Sequence, residues 1–340
     1  SLNGGVIKGA IVVEDSTIEG TKSTGGAVGK SSKDISGISV LRCNITGVDY
    51  VGGLVGFASG NIGKDENIGL ITTFVANSKI ISKGKSEGDG AEGLGGVIGA
   101  IGVDAGLVSA DVKNLVSLDN NIKFNDQQSL VSKIGGVVGS ISGVSLNSMK
   151  NCFYLATDNL SLMGNGDCVG GVIGYAENIT NKITGCSAKI ATSAKAQTGI
   201  TIYGASYVGG VAGYLENGDP ETSIDLISIN EAKNITINAK NINQGGVVEF
   251  VGGLVGFSTH GIEFNNASNI KVYANSNSNV AGFVGGIAGS VEGVGINSNK
   301  TSYSSIKNIY VEATGSYVGG VAGSVAGDIK YIDIDKAQDN

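Results

Sequence analysis

The chain has 340 residues, of which 57 are glycine and 41% are hydrophobic, and its net charge is -7. Arg42 is the only arginine. Proteins that bind phosphate or nucleic acid depend on arginine and on a basic face, so no nucleic-acid partner is expected. No apolar stretch approaches the roughly 20 residues of a membrane-spanning helix, so we expect no membrane insertion of this segment.

The most regular feature of the sequence is a Gly-Gly-x-x-Gly motif, usually preceded by an aromatic residue and Val. Successive copies begin 27 to 43 residues apart. Periods of this length are typical of repeat proteins, in which each unit buries its apolar face against its neighbours. We therefore predict one elongated domain over residues 1–340 and no division into globular domains. The copies start at Gly25, Gly52, Gly95, Gly135, Gly170, Gly209, Gly252, Gly285 and Gly319.

A strand is predicted through each copy of the motif. Gly inside a strand is unfavourable unless a side chain would obstruct a bend or a close approach of two backbones, so its recurrence predicts a shared backbone geometry. The clearest copies supply the structural repeat residues: Gly52, Gly53, Gly56, Gly209, Gly210, Gly213, Gly252, Gly253, Gly256, Gly319, Gly320 and Gly323.

A second strand is predicted farther along each unit, directly after a recurring Asn. Polar and β-branched residues alternate there, as in the segment 234–239. A period of two indicates a half-buried strand, and no segment has the spacing of an amphipathic helix. The protein is therefore predicted to be all β. The predicted inward pairs are Ile235 with Ile237, Ile270 with Val272, and Ile309 with Val311.

Stacking such units in parallel register, about 4.8 Å apart, predicts a parallel β-solenoid of about nine repeats. The recurring Asn suits a corner, because Asn tolerates a left-handed backbone and can hydrogen-bond its own main chain. Identical corners stacked on one another would align their side-chain amides in a ladder along the rod. The predicted ladder residues are Asn114, Asn151, Asn234, Asn269 and Asn308.

Extra residues lengthen some units, and we predict that segments 84–90, 191–204 and 217–223 are loops outside the shaft. Insertions in repeat proteins lie on one face, which is often the binding face. Solvated spacers without a partner would give the same pattern, so both interpretations stay open.

Aromatic residues precede several copies of the motif and would stack in a column if the repeats are in register. A column of rings could form a glycan-binding stripe, since sugar rings pack on aromatic faces, or a ladder that supports the stack. Both interpretations stay open at this point. The residues are Tyr50, Tyr207, Phe250, Phe283 and Tyr317.

The four cysteines have neither the Cys-x-x-Cys spacing nor the histidines of a zinc site, and no cofactor or metal site is predicted. A solenoid of this size does not need disulfides, so we expect buried free thiols. Cys152 and Cys186 follow corner positions in successive repeats and are predicted to lie in one column. Their parallel side chains disfavour the torsion of a disulfide.

His260 is the only histidine of the chain. A zinc protease needs His-Glu-x-x-His, and a polysaccharide-degrading β-helix needs converging acids. Glu263 lies near His260 in sequence, but no pair of aspartates accompanies it. We therefore predict that His260 is a turn residue beside Gly261 and that the chain is not an enzyme.

The phrase from Tyr50 to Phe57, repeated from Phe250 to Phe257, resembles the GLUG repeat of bacterial surface and secreted proteins. That family includes adhesin-like exoproteins and the stalk regions of immunoglobulin-A-specific metalloproteases. The match covers nearly the whole chain, although the copies at Gly25, Gly95 and Gly135 lack the preceding aromatic-Val pair.

The resemblance implies a non-enzymatic adhesin or stalk, extracellular or at the cell surface, that binds a host-surface protein or a glycan. Further repeats or domains of its own chain are expected to adjoin this segment. Two alternatives stay open. A carbohydrate-active β-helix enzyme, hydrolase or lyase, would need a cleft with converging acids, and a self-assembling surface filament unit would need unprotected end strands.

Overall fold

A computed structural model describes most of the chain. The described residues are 11–63, 73–84, 93–103, 109–124, 131–191, 199–216, 227–240, 248–275, 282–293, 295–297, 304–314, 317–330 and 332–334. Their regular elements are all β-strands, arranged in three sheets of 9, 9 and 19 strands with parallel pairing. The predicted all-β fold of stacked parallel strands, as in a β-solenoid, is confirmed. We call each motif and the residues up to the next motif a coil, named by its first Gly.

Sheet 1 contains the first half of every motif. All nine copies stack in register, so that Gly52 pairs with Gly25 on one side and with Gly95 on the other. The copies at Gly25, Gly95 and Gly135 therefore occupy the same place as the others. The strands are Ser23–Gly25, Tyr50–Gly52, Gly93–Gly95, Ile134–Gly135, Val169–Gly170, Val208–Gly209, Val251–Gly252, Phe283–Gly285 and Tyr317–Gly319.

Sheet 2 contains the second half of every motif, and its nine strands also stack in register. Val55 pairs with Val28 and with Ile98, and the same apolar position recurs in each coil. The strands are Val28–Ser31, Val55–Ala58, Ile98–Ile101, Val138–Ile141, Ile173–Ala176, Ala212–Leu215, Val255–Ser258, Ala288–Val291 and Ala322–Val325.

Sheet 3 contains strands from the segments before, between and after the motifs. Its strands are Ile11–Glu14, Thr17–Glu19, Ile38–Leu41, Asn44–Gly47, Ile62–Gly63, Thr73–Ala76, Lys79–Ser82, Ser109–Leu118, Asn121–Phe124, Ser145–Ala156, Leu160–Met163, Ile183–Ile190, Ile200–Gly204, Ile227–Lys240, Ile262–Asn275, Gly295–Asn297, Ser304–Ala313, Asp328–Lys330 and Ile332–Ile334. The strand Ile200–Gly204 falls in a segment that we predicted to be a loop. Residues 85–90, 192–198 and 217–223 of the predicted loops lie outside the described residues.

The motif is a tight turn between two sheets and not the single strand that the sequence predicted. Gly52 ends a strand of sheet 1, and Val55 begins the next strand in sheet 2. A Cβ on Gly52 would collide with the carbonyl oxygen of Val55, and a Cβ on Gly53 would collide with that of Gly96 in the next coil. Two sheets can therefore approach backbone to backbone only where these positions are Gly.

The same collisions recur at the other repeat glycines. A Cβ would meet backbone atoms at Gly56, Gly209, Gly210, Gly213, Gly252, Gly253, Gly256, Gly319 and Gly323. Gly320 differs, because no described atom lies within 4 Å of the position of its Cβ. Its counterpart Gly253 is covered by the backbone of the following coil, through Gly286.

The core consists of apolar columns that run along the stack. Ile235 pairs with Ile270 and Ile270 with Ile309, while Ile237, Val272 and Val311 form the parallel column. The first two members of each column are fully buried, and Ile309 and Val311 pack against the core from partly exposed positions. The predicted inward residues and their register are confirmed.

The five predicted ladder asparagines form two ladders in place of one. Each has a left-handed backbone, with φ between 52° and 55°. Asn151 donates its amide to Oδ1 of Asn114 at 3.0 Å. In a separate run, Asn269 donates to Asn234 at 2.8 Å and Asn308 donates to Asn269 at 2.9 Å. The prediction of a single ladder along the whole rod was wrong.

Strand register explains the division into two ladders. In the coil after Asn151, the equivalent corner is occupied by Gly185, with φ of 67°. Asn234 instead follows Lys233, which pairs with Lys189, so it lies at a later corner. The register also shifts on both sides of Cys186 where the strands Ile183–Ile190 and Ile227–Lys240 pair. The two ladders therefore stabilise different corners of the stack.

Candidate aromatic site

A column of stacked rings borders sheet 1. The ring centroids of Tyr207 and Phe250 are 5.0 Å apart, those of Phe250 and Phe283 are 5.3 Å apart, and those of Phe283 and Tyr317 are 4.9 Å apart. The rings are nearly parallel, with interplanar angles of 15°, 27° and 16°. The predicted column is confirmed for these four residues. Tyr50 lies outside it, because its register partners are Ser23 and Gly93.

A second column borders sheet 2, and the sequence analysis missed it. The centroids of Tyr175 and Tyr214 are 5.1 Å apart, and those of Tyr214 and Phe257 are 5.0 Å apart. Each of these residues directly follows the last Gly of its motif. That position could have revealed the column, but of the four preceding copies only one has a ring there, Phe57, and the others have Lys30, Ala100 and Ser140.

The two columns touch beside the motifs at Gly209 and Gly252, where both contain a ring. On the two sides of one motif, the rings of Tyr207 and Tyr214 meet at 79°, and those of Phe250 and Phe257 meet at 74°. Edge-to-face pairs of this kind contribute about 0.5–1.5 kcal/mol beyond their buried area. The two columns form one surface, the aromatic strip, which consists of Tyr175, Tyr207, Tyr214, Phe250, Phe257, Phe283 and Tyr317.

The backbone at the start of the strip is left-handed. Tyr207 and Phe250 have φ of 54° and 52°, and the equivalent residues of the two preceding coils, Lys133 and Cys168, have φ of 58° and 62°. Bulky residues rarely adopt this conformation, which costs on the order of 1–3 kcal/mol. The stacked and edge-on contacts offset this cost. Left-handed φ thus accompanies the column at Tyr207 and Phe250, whereas Phe283 and Tyr317 join it without positive φ.

Charged groups flank the strip. The hydroxyl of Tyr175 donates to Glu177 at 2.8 Å, and that of Tyr214 donates to Glu216 at 3.0 Å. Burial and these carboxylates raise the pKa of both phenols. Nζ of Lys133 lies 4.5 Å from the centroid of the Tyr175 ring, within the range of a cation–π contact.

A row of hydrogen bonds runs beside the first column. The carboxylate of Asp167 accepts the backbone N–H of Ser206 at 3.1 Å, and Oγ of Ser206 accepts the backbone N–H of Glu249 at 3.1 Å. Burial raises the pKa of Asp167, while the bond from Ser206 opposes the increase. Ser206 and Glu249 directly precede the column residues Tyr207 and Phe250, and Asp167 directly precedes Cys168, the register neighbour of Tyr207.

Interior rings of the strip cannot bind a sugar by stacking. A sugar ring needs one free aromatic face, whereas both faces of Phe250 and of Phe283 are covered by rings about 5 Å away. Inside the column the rings act as a ladder that supports the stack. Only a ring at an end of a column can offer a face to a ligand.

His260 is buried in a turn between sheets 2 and 3. Its backbone N–H donates to Oγ of Ser258 at 3.0 Å, and Nε2 is buried without a hydrogen-bond partner among the described residues. Burial lowers the pKa of its imidazole to about 4. Within the described part of the chain, no three His, Cys, Asp or Glu side chains come together as a metal site.

All four cysteines are buried and unpaired in the structure. Cys152 and Cys186 occupy one inward column, as predicted, since Phe153 pairs with Ser187 one position farther along. Burial raises the pKa of the Cys152 thiol, and the neighbouring Cys186 thiol adds to the increase. Burial also raises the pKa of Cys168 to about 12. These thiols are therefore poor nucleophiles.

Comparison with protein-family models, curated proteins and solved structures finds no match to this chain. Among the described residues, no helix is long and apolar enough to cross a membrane.

Proposed function

We propose that this chain is a non-enzymatic segment of a bacterial surface or secreted protein, and that it acts as an adhesin or stalk. The observation that carries the proposal is the unbroken stacking of nine motifs in sheets 1 and 2. Each coil adds about 4.8 Å of length, so the motifs together extend over about 40 Å. Such a fold supplies length and a repeated surface.

The distribution of side chains supports a role without catalysis. The apolar columns fill the space inside the described strands, and Tyr154 and Phe264 are among the largest side chains that are fully buried there. His260 is buried, and its imidazole stays neutral above about pH 4. The GLUG-like phrase from Tyr50 to Phe57 supports a place among extracellular or cell-surface repeat proteins.

The proposal is tested by adhesion and by hydrolysis in parallel. Beads coated with the purified chain are passed over surfaces coated with host-type glycans and extracellular-matrix proteins, and the soluble chain is incubated with the same polysaccharides. We expect retention of coated beads on at least one surface and no release of reducing ends. Coated beads that are retained no better than bare beads would contradict an adhesive role. Release of reducing ends that His260→Ala abolishes would contradict a non-enzymatic one.

A further inference from the structure

The first aromatic column has an end inside the stack. Tyr207 rests on Phe250 in the following coil, but its register neighbour in the preceding coil is Cys168, which has no ring. The neighbour before that is Lys133, which reaches over Tyr175 in the second column. The side of Tyr207 that faces Cys168 therefore lacks the aromatic partner that the rings farther along the column have.

We propose that this face of Tyr207 binds a pyranose ring of a neutral polysaccharide, which takes the place of the missing aromatic side chain above Cys168. This inference rests on the proposed adhesive function and names a ligand class for it. A pyranose presents a flat face of C–H groups to an aromatic ring and directs its hydroxyls sideways. The spacing suits it, because one absent ring leaves a gap of about one coil.

Polar groups stand where the hydroxyls of such a sugar would lie. Asp167 directly precedes Cys168, and Glu249 directly precedes Phe250. Oδ1 of Asp167 accepts the backbone N–H of Ser206 at 3.1 Å, and Ser206 directly precedes Tyr207, so this carboxylate is held next to Tyr207. Carboxylates accept hydrogen bonds from sugar hydroxyls, and the ammonium of Lys133 can donate one.

The local charge selects a neutral sugar over an acidic one. The carboxylates of Glu177 and Glu216 accept the hydroxyls of Tyr175 and Tyr214, and that of Asp167 accepts the N–H of Ser206. Glu249 directly precedes Phe250, and Nζ of Lys133 lies against the Tyr175 ring. A uronic acid would bring a further negative charge beside these carboxylates, and like charges at close range oppose binding. Neutral glucans, mannans and xylans carry no such charge.

The backbone conformation of Cys168 allows a test in which an added aromatic side chain fills the proposed site. Cys168 has φ of 62°, and Tyr207 and Phe250 hold aromatic side chains at similar φ in the next two coils. A phenylalanine at position 168 should therefore extend the column by one ring. It would cover Tyr207 without removing any residue of the proposed site.

Binding is measured by affinity electrophoresis and calorimetry of the full chain. The probes are laminarin, xylan, galactomannan and dextran, with polygalacturonate as the acidic comparison. We expect at least one neutral polysaccharide to bind and polygalacturonate not to bind. Tyr207→Ala should weaken binding roughly tenfold or more, and Cys168→Phe should abolish it without lowering the melting temperature. Tyr310→Ala, which removes an exposed ring of sheet 3, should bind as the parent does.

Three results would overturn this inference. They are binding of none of the neutral probes, binding that survives both Tyr207→Ala and Cys168→Phe, and preference for polygalacturonate. If none of the probes binds while coated beads still adhere to a protein surface, the adhesive function stands and only the sugar site fails. If the chain releases reducing ends, the proposed function itself fails.

Discussion

The side-chain oxygen of Asn151 lies 2.6 Å from the position that a Cβ of Gly185 would occupy. Gly185 is the residue at which the first asparagine ladder stops, and its φ of 67° is one that Asn tolerates. A Cβ there requires the flexible end of the Asn151 side chain to shift, after which Gly185→Asn should add a third amide to Asn114 and Asn151. We expect a gain of about 1 kcal/mol, from one hydrogen bond and from the reduced freedom of the unfolded chain.

Gly185→Ala is the matched control for this substitution. It adds the same Cβ without an amide and places Ala in a left-handed conformation, so it should lower the free energy of unfolding by about 1 kcal/mol. Urea denaturation measures both variants. An Asn variant that is no more stable than the Ala variant would show that no ladder forms there.

The motif glycines allow a comparison at one repeat position. Gly253→Ala should lower the free energy of unfolding by about 3 kcal/mol, because the added methyl collides with the carbonyl oxygen of Gly286. Gly320→Ala should change it little, since no described atom lies within 4 Å of that Cβ. Equal effects in urea denaturation would mean that the coils do not stack as the structure has them.

A charged substitution at Ile270, in one of the inward columns, should greatly destabilise the protein. Ile270→Asp places an unpaired carboxylate in a fully buried column and should cost several kcal/mol, on the order of 4 kcal/mol or more. Lys271→Asp, one position along and exposed, is the control and should change stability little. A thermal melt of Ile270→Asp that matches the parent would show that the register of this strand is wrong.

Acid should destabilise the protein through His260. The imidazole has a pKa of about 4 when folded and about 6.5 when unfolded, so the unfolded state binds the proton first as pH falls. The contribution of neutral His260 to the free energy of unfolding is fully present above about pH 6.5 and is lost as the pH falls toward 4. At pH 5 the loss is about 2 kcal/mol. Urea denaturation at pH 7.5 and pH 5 measures this loss. The free energy of unfolding of His260→Leu should fall by about 2 kcal/mol less than that of the parent between the two pH values. An unchanged decrease would assign it to other groups.

Sequence periodicity was sufficient to predict the inward residues of the strands but not to predict where the turns lie. Alternation after Asn234 identified Ile235 and Ile237 as inward residues, because a period of two determines which face is buried. The turn within the motif was not predicted, since Val-Gly and Val-Gly-Phe are both apolar and alternation cannot show where one strand ends. That boundary is set by contacts between coils, such as Gly53 against Gly96.

The corner ladder and the aromatic strip show a second limit. Lys113-Asn114 and Lys233-Asn234 are the same local phrase at two different corners, because both corners need a left-handed residue. Local sequence specifies that conformation but not the corner. The second aromatic column begins only at Tyr175, so no period over the whole chain revealed it. Its formation depends on the register of sheet 2.

The most direct test of the stacked fold is a set of distances along one outward column. Register connects Thr46 through Ile81, Lys123, Met163 and Tyr203 to Asn238 and then Tyr273, one step per coil. Spin labels on Thr46 paired with Met163, Asn238 and Tyr273 in turn, measured by pulsed electron resonance, should give separations that increase by about 4.8 Å per coil. The pair from Thr46 to Tyr273 should be roughly 29 Å apart. Separations that do not increase with the number of coils would contradict the parallel stack.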